Sequence, residues 1–219
     1  MISRADTDFS DVVIPDENIS DGNKVNQMRQ LLCIGDSNTY GYDPRSRLGG
    51  RYPADIRWTG RLADWDVINC GENGAEIPTR EWELEAHERK IRRASPVTAA
   101  VVMLGSNDLL QHPHFTAEQV TVRMEKYLQR VVQLIPPHQV LLLAPVPMRP
   151  GAWVYEPRLL EESARLGEYY EALAERIGVD FADTGLWGIE LSFDGVHLTP
   201  EGHRVFAEKM CELLNLKFS

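Results

Sequence analysis

Short apolar segments alternate with longer amphipathic segments along most of the chain. The apolar segments have the length of strands, and the segments between them repeat apolar residues at helical spacing. Strands that alternate with helices form a mostly parallel sheet with helices packed on both faces. The fold class is therefore α/β: a single-domain, three-layer α/β/α architecture with a mostly parallel five-stranded sheet. The predicted strands cover residues 31–36, 66–71, 97–104, 139–146 and 179–183, and the predicted helices cover residues 54–65, 79–94, 116–135, 157–178 and 200–214.

Capping residues mark the ends of the longer predicted helices. Thr116 and Thr199 stand where a hydroxyl would accept a hydrogen bond from the first helical turn. Pro157 and Pro200 occupy first helical positions, where the missing N–H has no cost, and Gly178 marks a helix end. These signals place the last three helices.

Residues 1–29 differ from the rest of the chain and are predicted to be an acidic extension to a domain of residues 30–219. The segment has no sustained periodicity and one short apolar piece, VVIP at residues 12–15. Such a composition is typical of a mobile segment. Because Met28 is an alternative start, the extension could also come from a misassigned start or from cloning. A further alternative is that VVI packs on a partner subunit.

The formal net charge of −10 disfavours nucleic acid and anionic membranes as partners, because phosphate groups are bound by clustered Lys and Arg. No segment approaches the ~20 apolar residues of a membrane span, and the polar, acidic N-terminus is unlike a secretory signal. The cysteines, Cys33, Cys70 and Cys211, are expected to be reduced, buried thiols of a cytoplasmic protein. The expected partner is a small molecule, and no motif calls for a cofactor or a metal.

Small polar residues and glycines follow three of the predicted strands. These are Asp36-Ser37-Asn38 after the first strand, residues 71–74 after the second and residues 105–108 after the third. In open parallel sheets, ligands bind outside the carboxyl ends of the strands. The three turns are therefore expected to converge on one ligand-binding edge.

Asp194 and His197 stand three residues apart in a glycine-containing turn near the end of the chain. At this spacing a carboxylate can reach the ring nitrogen of the histidine, fix its tautomer and stabilise the imidazolium. A histidine held in this way needs a hydroxyl to deprotonate, and Ser37 at the first strand-to-helix turn is the best candidate. The pattern predicts a nucleophile, a general base and a carboxylate that orients the base.

An acyl-transfer site also needs hydrogen-bond donors for the oxyanion. Gly74 can bring its backbone N–H close to a ligand, Asn107 offers a side-chain amide, and Ser37 offers its own N–H. The chain has no G-x-S-x-G nucleophile elbow, which disfavours the larger α/β-hydrolase architecture. The predicted oxyanion hole therefore consists of Ser37, Gly74 and Asn107.

Four short blocks, in this order, resemble the four sequence blocks of the SGNH hydrolases, which are also called GDSL esterases. The blocks are GDSNTYG (35–41), GENG (71–74), GSND (105–108) and DGVH (194–197). The resemblance implies a flavodoxin-like fold and a serine esterase in which Ser37 is the nucleophile, Gly74 and Asn107 bind the oxyanion, His197 is the base and Asp194 orients it. It is nearest to the arylesterase branch, whose members act on small acyl esters and often form homo-oligomers. The chain departs from the family name at one position, where Asn38 replaces leucine.

Asn38, Trp153 and Val196 are predicted to line the substrate pocket, with Trp153 on a loop after the fourth strand. The compact chain has no obvious lid insertion, which favours a short acyl group such as acetyl. Carbohydrate deacetylase, lysophospholipase, thioesterase and acyltransferase activities of the same family stay open, as does a non-catalytic domain that binds a small ligand or a partner. A metal site is a further alternative, in which Asp194 and His197 are joined by His203 or by His112 and His114.

Overall fold

The computed structural model describes residues 28–46 and 48–218. The predicted extension lies almost wholly outside the described residues. The first strand begins at Arg29, which is one residue inside the predicted extension. No helix in the described ranges is both long enough and apolar enough to cross a bilayer.

The described chain forms one five-stranded sheet in the order β2-β1-β3-β4-β5, and every neighbouring pair of strands is parallel. This confirms the predicted fold class. β2 and β3 pair with opposite edges of β1. The connections that leave the strands therefore run in opposite directions, and a crevice opens outside the carboxyl ends of these strands. The strands are β1 (Arg29–Gly35), β2 (Trp65–Gly71), β3 (Ala99–Met103), β4 (Val140–Ala144) and β5 (Asp180–Asp183).

Helices cover both faces of the sheet and divide the core in two. The helices are α1 (Ser37–Tyr40), α2 (Glu81–Ala94), α3 (Ser106–Gln111), α4 (Ala117–Val131), α5 (Pro157–Ile177) and α6 (Pro200–Lys217). Alternate residues of β1 show the division, since Leu32 and Ile34 pack under α2, α4 and α5, whereas Leu31 and Cys33 pack under α6. Strands buried on both faces are continuously apolar, as the sequence of β3 and β4 shows.

The predicted helix caps are confirmed. The Thr116 hydroxyl accepts a hydrogen bond from the Gln119 N–H and caps α4, and Thr199 caps α6 in the same way. Pro157 is the first residue of α5, and Gly178 caps the helix after Ile177. Local chemistry therefore specifies where these helices begin and end.

Residues 54–65 do not form the predicted helix. Only one 3₁₀ turn is present, at Trp58–Gly60. The Trp58 N–H donates to Nδ1 of His203 in α6 at 3.4 Å instead of to a carbonyl of its own segment. The fully buried Trp58 ring packs on Phe206 of α6, with ring centroids 4.9 Å apart. Tertiary contacts of Trp58 thus override the helical pattern of the segment.

The three cysteines are unpaired thiols, but they are not equally buried. Cys33 is buried inside β1, whereas Cys70 and Cys211 are only partly buried. The expectation that all three are buried is therefore correct for Cys33 alone.

Candidate active site

Ser37 is the first residue of α1, directly beyond the carboxyl end of β1. Asp36 caps this four-residue helix, and its Oδ1 accepts a hydrogen bond from the Asn38 N–H at 2.9 Å. The cap turns the chain sharply, so that the Ser37 side chain faces the crevice at the strand ends. Ser37 is buried, with 6% of its surface exposed.

His197 and Asp194 reach Ser37 from the loop that precedes α6. Nε2 of His197 lies 2.9 Å from the Ser37 Oγ, and Nδ1 of His197 lies 2.8 Å from Oδ2 of Asp194. Asp194 and His197 are both buried. Ser37, His197 and Asp194 therefore form one hydrogen-bonded chain of buried side chains, although 160 positions separate the serine from the histidine.

Local hydrogen bonds give the Asp194 carboxylate its orientation. Its Oδ1 accepts the backbone N–H groups of Val196 at 2.9 Å and of His197 at 3.0 Å, which leaves Oδ2 for the imidazole. Gly195 between them has a φ of 83°, and a Cβ at this position would lie 2.1 Å from the Arg149 carbonyl oxygen. The loop can close in this way only with glycine at residue 195.

The pKa of Asp194 is held below its ordinary value. Burial alone would raise this pKa, but the hydrogen bonds from the His197 ring and from the backbone N–H groups of His197 and Val196 outweigh burial. An ionised carboxylate can only accept, so Nδ1 of His197 donates to Asp194 and Nε2 is left as an acceptor. The site can therefore transfer the Ser37 hydroxyl proton to His197.

Two of the predicted oxyanion donors, Gly74 and Asn107, line the same crevice as Ser37. Gly74 follows β2 with a φ of 71°, and Asn107 is the second residue of α3. Among the described residues, neither the Ser37 N–H nor the Gly74 N–H donates to a protein acceptor. The Asn107 amide uses one N–H on the Ala75 carbonyl at 3.0 Å, which leaves its second N–H for a ligand. The site thus combines three available N–H donors with one hydroxyl.

Side chains of α3 hold the loop that carries Gly74. Gln111 donates to the Gly74 carbonyl at 3.1 Å, and Asp108 accepts the Ile77 N–H at 3.1 Å. Burial raises the pKa of Asp108 to about 6, although Arg123, whose Nε lies 3.0 Å from Asp108 Oδ1, opposes this shift. Residues 105–108, which the sequence predicts as a turn, begin a helix that supports the oxyanion loop.

The crevice at this edge is a cavity of about 230 Å³. Its lining comprises Ser37, Tyr42, Asn73, Gly74, Asn107, Trp153, Val196 and His197. The ring centroids of Trp153 and Tyr42 lie 5.0 Å and 4.7 Å from that of His197, so two aromatic side chains flank the imidazole. Tyr42 is not among the pocket residues predicted from the sequence. Its position two residues after α1, close to Ser37 along the chain, could have indicated that it lines the pocket.

Two of the three predicted pocket residues line this cavity, and one does not. Trp153 and Val196 form part of its wall. Asn38 does not line the cavity, because its side chain turns away from the crevice and bonds to the backbone of Val196 and Leu198. The prediction that Asn38 lines the substrate pocket therefore does not hold for this cavity.

The histidines considered for a metal site are not assembled around Asp194. His203 is buried beside Trp58 and Tyr52, and burial lowers its pKa to about 3. His112 pairs with Glu76 at 2.7 Å. In residues 28–46 and 48–218, no group of three or more His, Cys, Asp or Glu side chains has an arrangement that would hold a metal ion.

Asp36, next to Ser37, leads to a prediction about pH and stability. Burial raises its pKa to about 6, against the opposing effects of the Asn38 N–H and His197. A folded-state pKa above the unfolded value means that the folded protein retains this proton between about pH 4 and pH 6, so stability falls as the pH rises through that window.

We expect Asp36→Asn, which keeps the capping acceptor, to lack this dependence. The free energy of unfolding of the variant relative to the wild type should then rise by about 2 kcal/mol from pH 4 to pH 7. Urea unfolding at four pH values measures this difference, and a constant difference would contradict the prediction.

Comparisons with known proteins find a matching family and similar folds. The model of the GDSL-like lipase/acylhydrolase family matches residues 33–205. The human isoamyl acetate-hydrolyzing esterase 1 homolog is 27% identical over 220 residues, covering 87% of this chain and 83% of that protein. A carbohydrate acetylesterase family member from Sinorhizobium meliloti superposes with a TM-score of 0.72 at 27% identity, covering 87% of this chain and 99% of that chain. The aryl esterase of M. smegmatis shares the fold, with a TM-score of 0.74 at 24% identity over 86% of this chain and 99% of that chain.

The matched region spans most of the chain and contains every residue of the hydrogen-bonded site. The predicted resemblance to the SGNH hydrolases is thereby confirmed. The chain belongs to the GDSL-like lipase/acylhydrolase family, and it is a carboxylic ester hydrolase.

Proposed function

We propose that the protein is a serine esterase that hydrolyses small carboxylic esters through Ser37, His197 and Asp194. The observation that carries the proposal is the chain of hydrogen bonds, 2.9 Å from Ser37 to His197 and 2.8 Å from His197 to Asp194, that opens on a cavity with unused N–H donors. An anion-binding domain would need the donors but has no use for the Asp194–His197 pair. This pair therefore favours catalysis over simple binding.

In the proposed mechanism, the Ser37 Oγ attacks the ester carbonyl carbon while Nε2 of His197 takes the hydroxyl proton. The carbonyl oxygen becomes an oxyanion, which accepts hydrogen bonds from the Ser37 and Gly74 N–H groups and from the Asn107 amide. Each such donor is typically worth ~3 kcal/mol in the transition state.

The intermediate collapses when the C–O bond to the alcohol breaks. His197 gives its proton to the departing alkoxide, and the acyl group stays on Ser37. A water molecule then attacks the acyl carbon and loses a proton to His197, and the second collapse returns that proton to the Ser37 oxygen as the acid leaves. Throughout, the Asp194 carboxylate stabilises the imidazolium form of His197.

Two observations support a short acyl group. The crevice beside Ser37 has a volume of only about 230 Å³, which suits a small acyl group. The half-exposed Trp153 forms one wall, and its loop is held to the His197 loop because the Trp153 N–H donates to the Asp194 carbonyl at 3.1 Å. Two similar proteins bear names that refer to acetyl esters, the human isoamyl acetate-hydrolyzing esterase homolog and the Sinorhizobium meliloti carbohydrate acetylesterase family member.

A series of p-nitrophenyl esters tests this proposal. We expect kcat/KM to be highest for the acetate and to fall through the butyrate to the octanoate. Trp153→Ala should raise the ratio of octanoate to acetate kcat/KM by about tenfold, because the removed ring frees space for the longer chain. Tyr155→Ala is the matched control, since Tyr155 is an aromatic residue of the same loop that is 80% exposed and outside the cavity. Turnover that rises strongly with chain length in the wild type would contradict the short-acyl proposal and favour a lysophospholipase or long-chain thioesterase.

A further inference from the structure

The side-chain amide of Asn38 bridges the backbone on both sides of His197. Its Nδ2 donates to the Val196 carbonyl at 3.1 Å, and its Oδ1 accepts the Leu198 N–H at 3.0 Å. The opposite orientation of the amide would set donor against donor and acceptor against acceptor, so only this one satisfies both partners. Asn38 is buried, with 8% of its surface exposed, and water does not substitute readily for either bond.

The backbone of Asn38 is itself held at both ends. Its N–H donates to Asp36 at 2.9 Å, and its carbonyl accepts a hydrogen bond from Nε1 of Trp58 at 3.0 Å. The Trp58 ring is fully buried against Phe206. The Asn38 backbone is therefore fixed in place, and its side-chain amide can hold the backbone around His197 in one position.

The bond between Ser37 and His197 joins two separate parts of the fold. Ser37 belongs to α1, whereas His197 belongs to the loop before α6. Apart from the Ser37–His197 contact, the two bonds of the Asn38 amide are the only direct hydrogen bonds that the described residues show between α1 and residues 192–198. Within the described chain, no other hydrogen bond at this junction sets the separation of nucleophile and base.

We propose that Asn38 is a positioning residue, whose amide holds the His197 imidazole within hydrogen-bond distance of the Ser37 hydroxyl. The proposal rests on the proposed roles of Ser37 and His197. Asn38 does not touch the substrate cavity, so it acts through His197 and not on the ester. Its loss should slow proton transfer in both acylation and deacylation while substrate binding is preserved.

Two substitutions test this role with p-nitrophenyl acetate. Asn38→Leu keeps the approximate shape and removes both bonds. Asn38→Asp keeps the shape and the bond from the Leu198 N–H, but sets a carboxylate oxygen against the Val196 carbonyl. Because a base displaced by about 1 Å can cost on the order of 100-fold in rate, we expect kcat to fall by about 10- to 100-fold in both variants. KM should stay within about threefold of the wild type, since no contact with substrate is lost.

Asn69→Leu is the matched control. The Asn69 amide also supports α1, because it donates to the Thr39 carbonyl at 2.8 Å. It donates to the Thr59 hydroxyl and accepts the Gly71 N–H as well, but it makes no hydrogen bond to the His197 loop. A purely structural role for Asn38 predicts that the Asn38 and Asn69 variants lose thermal stability and activity together. The positioning role predicts that the Asn69 variant keeps kcat within about threefold of the wild type.

The outcomes separate this proposal from the proposed function. If Ser37→Ala is inactive and a folded Asn38 variant retains wild-type kcat, or loses affinity instead of kcat, the positioning role is overturned and the esterase mechanism stands. A loss of kcat shared equally with Asn69→Leu also overturns it. If Ser37→Ala retains turnover, the esterase mechanism itself fails. Should Asn38→Leu not fold, the result for Asn38→Asp decides.

Discussion

Replacing Ser37 with alanine is expected to lower kcat on p-nitrophenyl acetate by about 10⁵- to 10⁶-fold, because removal of the nucleophile disables the whole catalytic unit. KM of the residual activity should change little, since the Trp153 and Tyr42 walls and the oxyanion donors remain. The folded state should also persist, because the only side-chain hydrogen bond that Ser37 makes within the described residues is the one to His197. Steady-state kinetics with protein of verified thermal stability measures the effect.

Ser106→Ala provides the matched control for this experiment. Ser106 is the first residue of α3 after β3, as Ser37 is the first residue of α1 after β1, and both are buried. Ser106→Ala therefore removes a serine hydroxyl from the equivalent position after a neighbouring strand. Its kcat should stay within about threefold of the wild type. Comparable rates for Ser37→Ala and the wild type would remove Ser37 from the mechanism.

Covalent labelling gives an independent readout of the same site. A fluorophosphonate ester reacts with a serine whose hydroxyl is deprotonated by a neighbouring base, and the adduct should appear on Ser37 alone in the wild type. Ser37→Ala should not be labelled. Labelling of another residue at an equal rate would show that the nucleophile lies elsewhere.

The residues that directly follow strands could be predicted from the sequence. In a parallel sheet all carboxyl ends meet at one edge, so Ser37 after β1, Gly74 after β2 and Asn107 after β3 had to approach one another. Asp194 and His197 could also be paired in advance, because a spacing of three residues across Gly195 lets the carboxylate reach the ring. Topology and short-range geometry thus carry most of the candidate site.

Features that depend on contacts between distant segments could not be predicted. The Asn38 amide bonds to residues 158 and 160 positions away, and no local pattern in the sequence indicates them. Residues 54–65 have helical spacing, yet the partners of Trp58 in α6 prevent the helix. His87 is partly buried in α2 with its Nδ1 2.9 Å from the Tyr127 hydroxyl of α4, and burial lowers its pKa to about 4. Periodicity describes one element at a time, whereas these positions depend on which elements meet.

Asp194→Asn is expected to lower kcat by about 10⁴-fold while leaving the fold intact, because it reverses the tautomer of the base. The amide oxygen of the new side chain can still accept the Val196 and His197 N–H groups, so the loop keeps its hydrogen bonds. The amide nitrogen, however, would face Nδ1 of His197 as a donor. Nδ1 must then accept, which places the ring proton on Nε2, where it points at the Ser37 oxygen and cannot take the hydroxyl proton.

Asp183→Asn controls for the substitution itself. Oδ1 of Asp183 accepts the Gly185 N–H at 2.8 Å, two residues further along the chain, just as Asp194 accepts the Val196 N–H, but Asp183 does not line the cavity. Its variant should keep kcat within about threefold of the wild type.

Since the substitution at residue 194 preserves shape and backbone bonds, a kcat for Asp194→Asn within about tenfold of the wild type would show that this carboxylate does not set the tautomer of His197. The hydroxyl of Ser37 would then need another base, and the hydrogen-bonded chain described above would not be the catalytic one.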